Sequence, residues 1–152
     1  MRRREVAGQA GVEVLGLGVL VFVIGTLVVA NAWAVVDAKF AVAAAAREAT
    51  RAYVEAAPAD DPLGRAHEAA RAAIASSGRE PQRLTLELLE GGFARCRTVR
   101  FEASYPVTHV VLRALGDGPG TTIASARAAE LVDPFRSGVP GEAEACEHEP
   151  AP

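Results

Sequence analysis

The sequence predicts an α+β fold in which a long N-terminal transmembrane helix continues into a small domain with a second helix and an antiparallel sheet of about three strands. Three observations support this prediction. Residues 14–36 carry no formal charge, residues 37–57 contain no Gly or Pro, and beyond Pro81 apolar residues recur at every second position. A sheet with one apolar face needs a covering helix, so the pattern favours one two-layer domain.

The apolar run at 14–36 is long enough to cross a bilayer. A helix rises about 1.5 Å per residue and the hydrocarbon core is about 30 Å thick, so about 20 residues suffice. Val, Leu, Ile, Phe and Ala dominate the run, and Asn31 is its strongly polar member. A helix without a polar face does not suit the core of a soluble domain, so the run is predicted to insert into a membrane.

The charges on either side of the run predict its orientation. Arg2, Arg3 and Arg4 precede it, whereas Asp37 and Lys39 on the other side nearly cancel. Because positive flanks stay in the cytoplasm, we expect the N-terminus inside and the C-terminal domain outside the cell membrane.

A carboxylate at the edge of the run allows two interpretations. Glu13 lies five positions after Gly8, and a charge at the centre of a membrane helix costs about 2.5–3.5 kcal/mol, less near the interface. Glu13 is either a polar flank at headgroup level, or the partner of a new ammonium created by a cut between Gly8 and Gln9. In the second case the two charges lie one helical turn apart, in one chain or in packed neighbours, and each satisfies the other.

Two motifs resemble a known family. The stretch Gly8-Gln9-Ala10-Gly11-Val12-Glu13, after three Arg and before an apolar run, resembles the processing site of type IV pilin-like proteins, in which a prepilin peptidase cuts after the Gly. Together with Ala44-Ala45-Ala46-Arg47-Glu48-Ala49-Thr50-Arg51-Ala52, it resembles the TadE-like pseudopilin family of tight-adherence (Flp) pilus systems. That family commonly has Ala in place of Gly11 and Gly in place of Thr50. The resemblance covers roughly residues 2–55 and, more loosely, 95–135.

The resemblance implies a minor pilin or pseudopilin that acts by assembly and not by catalysis. Gly8, Gln9 and Glu13 would be the processing and assembly residues. The implied partners are the membrane, the prepilin peptidase, other pilin or pseudopilin subunits and the tight-adherence secretion machinery. The implied location is the cell membrane, as a single-pass protein, with incorporation into an extracellular pilus as a further expectation.

An ordinary signal sequence is the alternative. Ala30-Asn31-Ala32 or Ala32-Trp33-Ala34 would suit signal peptidase and would release a secreted binding domain beginning near Trp33. The apolar run is longer than the roughly 7–15 residues of a typical signal sequence, and it continues into a helical segment without a break. An uncut leader would leave a single-pass membrane-anchored binding or adaptor domain.

Composition divides the chain into four segments. These are the basic leader 1–8, the transmembrane and extended spine helix 9–57, the extracytoplasmic α+β domain 58–131, and the acidic Pro/Gly-rich tail 132–152. The long helix is predicted from about Gly11 to the end of its segment. Ala is so abundant in its second half that no clean apolar stripe emerges, and Phe40 and Tyr53 are the large residues available for packing.

The second helix has clear start and stop signals. Asp61 is the predicted N-cap, Pro62 the first helical residue, Ser76 the approximate end and Gly78 the left-handed cap. Its predicted apolar face consists of Leu63, Ala66, Ala70, Ala73 and Ile74.

Alternating residues predict the strands. The first covers 84–88 and the second 99–105, with Pro106 ending it or lying on an edge. Residues 107–115 suit a short helix or a strand equally well.

The last part of the chain combines a strand with a tail. A loop is predicted at 116–120 and a third strand at 121–131, with Ile123 and Leu131 as its buried anchors. From Val132 onward the periodicity is lost, which predicts a solvated and largely disordered tail.

The two cysteines, Cys96 and Cys146, are candidates for a disulfide. Outside the cytoplasm the bond is permitted, and it would pin the tail to the start of the second strand. Closing a loop of about fifty residues is worth roughly 4 kcal/mol in the chain-entropy description. Free thiols, or bonds between subunits, are the alternatives.

Composition also argues against several function classes. No catalytic cluster, cofactor motif or metal site is expected, because the three His residues are scattered and only His148 lies beside a Cys. Loss of residues 1–8 would remove three Arg and one Glu and lower the formal net charge from −3 to −5. Without a basic patch interleaved with aromatics, nucleic-acid binding is not expected.

Overall fold

The computed structural model describes residues 6–108, 121–142 and 146, with side chains from Val14 onward. The elements are helix α1 (Val6–Val54), helix α2 (Pro62–Ser76), a 3-10 turn (Pro81–Arg83), and strands β1 (Thr85–Glu90), β2 (Thr98–Thr108) and β3 (Thr121–Leu131). The predicted α+β fold is confirmed. The predictions for residues 1–5, 109–120 (with the loop at 116–120), 143–145 and 147–152 lie outside the described residues.

Helix α1 is a single helix of 49 residues that leaves the domain at its N-terminal side. Its most apolar stretch has a mean hydropathy of 2.5, and none of that stretch is buried against the rest of the chain. Length and composition make it one candidate membrane-spanning helix, near the N-terminus. The helix begins at Val6, five residues before the predicted start, and ends at Val54, three before the predicted end.

The C-terminal part of α1 forms the centre of the domain. Its buried residues recur at helical spacing, and they are Ala38, Ala41, Val42, Ala45, Ala46, Ala49, Thr50 and Tyr53. The prediction of no clean stripe is therefore wrong. The buried stripe consists mostly of Ala, and Ala also occurs on the exposed sides, so the stripe does not stand out in the sequence. The expectation for the large residues holds for Tyr53, which is buried, and fails for Phe40, which is 72% exposed on the opposite side of the helix.

Helix α2 packs against α1, and its ends match the local signals of the sequence. A carboxylate oxygen of Asp61 accepts a hydrogen bond from the backbone N–H of Leu63 at 3.1 Å, and Gly78 adopts a positive φ of 73°. Ala66, Ala70 and Ile74 are fully buried, whereas the predicted core residue Leu63 is 42% exposed. Leu63 lies in the first turn of α2, next to the N-cap Asp61.

The three strands form one antiparallel sheet in the order β1-β2-β3. One face packs on the helices, and its centre is Phe101 of β2, which pairs with Leu88 of β1 and Ala128 of β3. The ring of Tyr53 meets the edge of the Phe101 ring with centroids 5.5 Å apart, which joins α1 to the sheet.

Strand β3 has its predicted bounds but the opposite face turned inward. Ile123 is 68% exposed and Leu131 is 46% exposed, so neither is a buried anchor. Ala124 is fully buried, and Ala126 and Ala128 pack against the core from the same face. Small residues occupy the buried face of β3 because they let α1, which is itself lined with Ala, approach the sheet closely.

Strand β2 continues through Pro106, contrary to the expectation that the strand ends there. Pro106 pairs with Ile123 on the β3 side, while the last residue of β2 that pairs with β1 is Ser104. The Pro106 carbonyl accepts a hydrogen bond from Nη2 of Arg83 at 3.2 Å, on the side where β1 has not yet begun. Pro106 thus lies where β2 is locally an edge strand, which is the other predicted possibility.

The segment after β3 is held against the domain over residues 132–142 by two buried Val residues, although most of its other side chains are exposed. Val132 is fully buried, and its backbone exchanges hydrogen bonds with Cys96 and Arg97 at 3.0 Å each. Val139 is only 4% exposed. The prediction of a disordered tail is wrong for these residues. Two isolated Val side chains give no periodic signal in the sequence, but in the structure both pack into the hydrophobic core.

Candidate functional site

The predicted processing residues all lie in the first turns of α1. Gly8, Gln9 and Glu13 belong to the helical stretch that begins at Val6. Positions 9 and 13 are four residues apart in a helix, and this spacing puts them one turn apart on the same side. The backbone is helical on both sides of the bond between Gly8 and Gln9, so a protease must unwind this turn before cleaving it.

The apolar run presents an exposed surface on every side. Every side chain from Val14 to Ala30 is exposed, and Trp33 is 72% exposed. Such a continuous apolar surface far exceeds the patches that soluble domains leave in water. Lipid, or the apolar helices of other chains, would solvate it.

Two polar side chains in the run are satisfied within the helix. The Thr26 hydroxyl donates to the carbonyl of Phe22 at 2.9 Å, and Nδ2 of Asn31 donates to the carbonyl of Leu27 at 2.8 Å. Both bonds reach back one turn, and they satisfy the Thr26 hydroxyl hydrogen and one Nδ2–H of Asn31 within the helix. Asn31, the polar exception in the sequence, is therefore less costly in lipid than its type suggests.

An ion pair joins the domain to the end of the run. Nη2 of Arg79 lies 2.6 Å from a carboxylate oxygen of Asp37, the first charged residue after the apolar stretch. The Arg79 side chain is only 18% exposed. Sequence reasoning missed this contact because 42 residues separate the partners, and no local pattern predicts it.

A second set of contacts joins the C-terminal segment to the backbone just after α1. One guanidinium nitrogen of Arg136 donates to the carbonyls of Glu55 and Ala56, both at 2.6 Å. Next to it, Cys96 and Cys146 form a disulfide with their Cα atoms 4.9 Å apart. The predicted pair is thus joined, and the C-terminal segment is fixed to both the helix and the sheet.

Two titratable side chains among the described residues have clearly shifted pKa values. Burial raises the pKa of the Tyr53 hydroxyl above its ordinary value, and nearby Asp61 acts in the same direction. Nε of Arg51 donates a hydrogen bond to a carboxylate oxygen of Glu55 at 3.0 Å, and this bond raises the pKa of Arg51. Within residues 14–108, 121–142 and 146, no three His, Cys, Asp or Glu side chains are grouped so that they could hold a metal ion.

Comparisons with known proteins return nothing that identifies the chain. No family model matches it, no curated protein matches it, and no solved structure matches it. The interpretation as a pilin therefore depends on the motifs of the sequence and on the geometry of α1.

Proposed function

We propose that the chain is a minor pilin or pseudopilin that takes part in assembling a tight-adherence (Flp, type IV-like) pilus. One observation carries the proposal: the motif Gly8-x4-Glu13 lies at the start of a single helix that is apolar over 14–36, is exposed at every position over 14–30 and becomes the core of the domain from Ala38. An ordinary anchor has no need for a stiff connection between the membrane and the domain. A filament subunit does, because its helix has to place the domain in a fixed position.

The first step is processing. In this proposal a prepilin peptidase recognises the residues around Gly8 on the cytoplasmic side and cuts the bond to Gln9. The turn must open for cleavage, and Gly8 and Gly11 lower the cost of unwinding because glycine destabilises a helix by roughly 0.5–1 kcal/mol relative to Ala. The new ammonium at Gln9 then pairs with Glu13 of the same chain or of a neighbouring subunit.

The second step is association of the spans with those of other subunits. Association between helices in lipid depends on close packing, since hydrophobicity alone does not favour protein over lipid. Gly16, Gly18 and Gly25 contact nothing within this chain, so a side chain at these positions would meet no atom of its own protein. Their small size matters only toward a neighbouring helix, where it permits close approach.

Charge and the disulfide support the proposed orientation. Arg2, Arg3 and Arg4 favour a cytoplasmic N-terminus. A bond between Cys96 and Cys146 persists in an oxidising compartment, which supports an extracytoplasmic domain. The domain would then offer its surface to partner subunits outside the membrane.

The mature N-terminus tests the proposal. Intact mass and N-terminal peptide sequencing of membrane-extracted protein should give a chain that begins at Gln9. A start near Trp33 would make the protein a secreted domain, and the residues from Ala38 onward would still supply its core. An intact leader would leave a membrane-anchored adaptor. Either result would refute the pilin proposal.

A further inference from the structure

The end of the domain nearest the apolar run carries an arginine cluster. Helix α2 returns toward this end, and β2 finishes there. The ion pair between Arg79 and Asp37 fixes the level of the cluster, because Asp37 directly follows the uncharged stretch. In a membrane that stretch fills the hydrocarbon, so Arg79 lies at the level of the lipid headgroups.

Two guanidinium groups lie against one buried ring. The central carbon of Arg79 is 5.5 Å from the centroid of the Tyr105 ring, and that of Arg83 is 5.4 Å from it. Tyr105 is only 4% exposed, so it forms a rigid support for both cations. Arg83 is also held by its hydrogen bond to the Pro106 carbonyl, yet the residue is exposed.

The described residues of the cluster carry a net positive charge and one donor without a partner. Asp37 neutralises Arg79, and the exposed charges of Lys39 and Glu80 are of opposite sign, so among the described residues the charge of Arg83 is the net excess. Nε of Arg79 is buried and has no hydrogen-bond partner among the described residues. An anion beside Arg83 would supply the missing countercharge.

We propose that Arg83, held beside Arg79 on the Tyr105 ring, binds the phosphate of an anionic lipid headgroup. The planar fork of a guanidinium matches phosphate oxygens in a bidentate arrangement, and two adjacent forks suit one phosphodiester. The source of the phosphate is the bilayer, because the ion pair with Asp37 holds the site at the membrane surface. This inference rests on the membrane anchoring in the proposed function, but not on processing or pilus assembly.

The experiment uses the full chain in nanodiscs of phosphatidylcholine alone or of phosphatidylcholine mixed with phosphatidylglycerol. Hydrogen exchange is followed over residues 79–84, and the intact disulfide serves as a check on folding. One basic side chain near an anionic surface changes an equilibrium about fivefold, so exchange should slow about fivefold with phosphatidylglycerol. Added salt should reduce this protection, since it screens the attraction.

A pair of variants tests the assignment to Arg83. The substitution Arg83→Gln should abolish the effect of phosphatidylglycerol. Arg100→Gln, which removes a partly exposed guanidinium paired with Glu90 toward the other end of β2, should leave it unchanged. If Arg83→Gln perturbs the fold, the salt dependence of the unaltered chain still decides.

Four results would overturn the proposal. Equal exchange in both kinds of nanodisc, or a full effect in Arg83→Gln, would show that this cluster does not bind the headgroup. Equal protection by inorganic phosphate in detergent would point to a site for a soluble anion. Failure of the chain to insert into nanodiscs would refute the anchoring as well, whereas insertion without a lipid preference would refute the headgroup site alone.

Discussion

Removing the disulfide should reveal how strongly the C-terminal segment is tied to the domain. Cys96 and Cys146 are separated by 50 residues, and the bond encloses β2, β3 and the segment that follows. In the chain-entropy description, closing a loop of about 50 residues restricts the unfolded chain by roughly 4 kcal/mol at room temperature. Small domains are stable by only about 5–15 kcal/mol, so the double variant Cys96→Ser/Cys146→Ser should lose a large share of its stability.

The assay is urea unfolding of the full chain in nanodiscs, followed by near-ultraviolet circular dichroism. The buried rings of Tyr53 and Tyr105 report on the domain, while the span remains helical in lipid. The unaltered chain in reducing agent is the matched control and should unfold together with the double variant. The variant itself should not respond to reducing agent. A difference of less than about 1 kcal/mol between oxidised and reduced protein would refute the reasoning, because loop closure would then not restrain the unfolded chain.

Three further predictions concern the core, the leader and the alkaline limit. Phe101→Ala should destabilise the domain by about 3–5 kcal/mol in the same unfolding assay, whereas Ile123→Ala, on the exposed face, should change stability by less than about 0.5 kcal/mol; similar costs would contradict the assigned faces. In cells with a prepilin peptidase, Gly8→Arg should leave a slower-migrating precursor on a gel, while Glu13→Ala should be cleaved but fail to enter filaments; normal processing of the first variant or normal assembly of the second would refute those roles. Because the pKa of Tyr53 is raised on folding, the contribution of its titration to the free energy of unfolding is complete below the ordinary value of 10.0 and is lost as the pH rises through the higher folded value. Unfolding curves at alkaline pH should therefore show a smaller loss of stability in Tyr53→Phe than in the unaltered chain. An equal loss in both proteins would contradict this.

The features that were correctly predicted depend on local signals. Asp61, Pro62 and Gly78 fixed the ends of α2 because a cap acts within one turn of the chain. The alternation around Phe101 gave the correct buried face of β2, since its neighbours on the outer face are polar. The bounds of β3 were also correct.

The failures share a physical cause, which is packing between distant segments. On β3, hydrophobicity predicted that Ile123 is buried, but the close packing of α1 buries the face that carries Ala124. Sequence alone does not show how close two elements lie. The contacts of Arg79 and Arg136 join residues far apart in the chain, so no spacing rule predicts them. Within the candidate site, the predicted processing motif is a local pattern and its role stays a prediction, whereas the arginine cluster brings together residues that no local pattern connects.

Because α1 is continuous, the domain would move as one body with the apolar part of the helix. From Val36 to Val54 the helix extends about 27 Å beyond the end of the apolar run, at a rise of about 1.5 Å per residue, without Gly or Pro. Membrane helices tilt by about 20° on average, and a tilt of that size would carry the far end sideways by about 9 Å. Because the sheet and α2 are packed directly on this rod, the whole domain would swing with it. Any reorientation of the apolar run in a bilayer would therefore move the domain by the same angle, because α1 has no hinge between them.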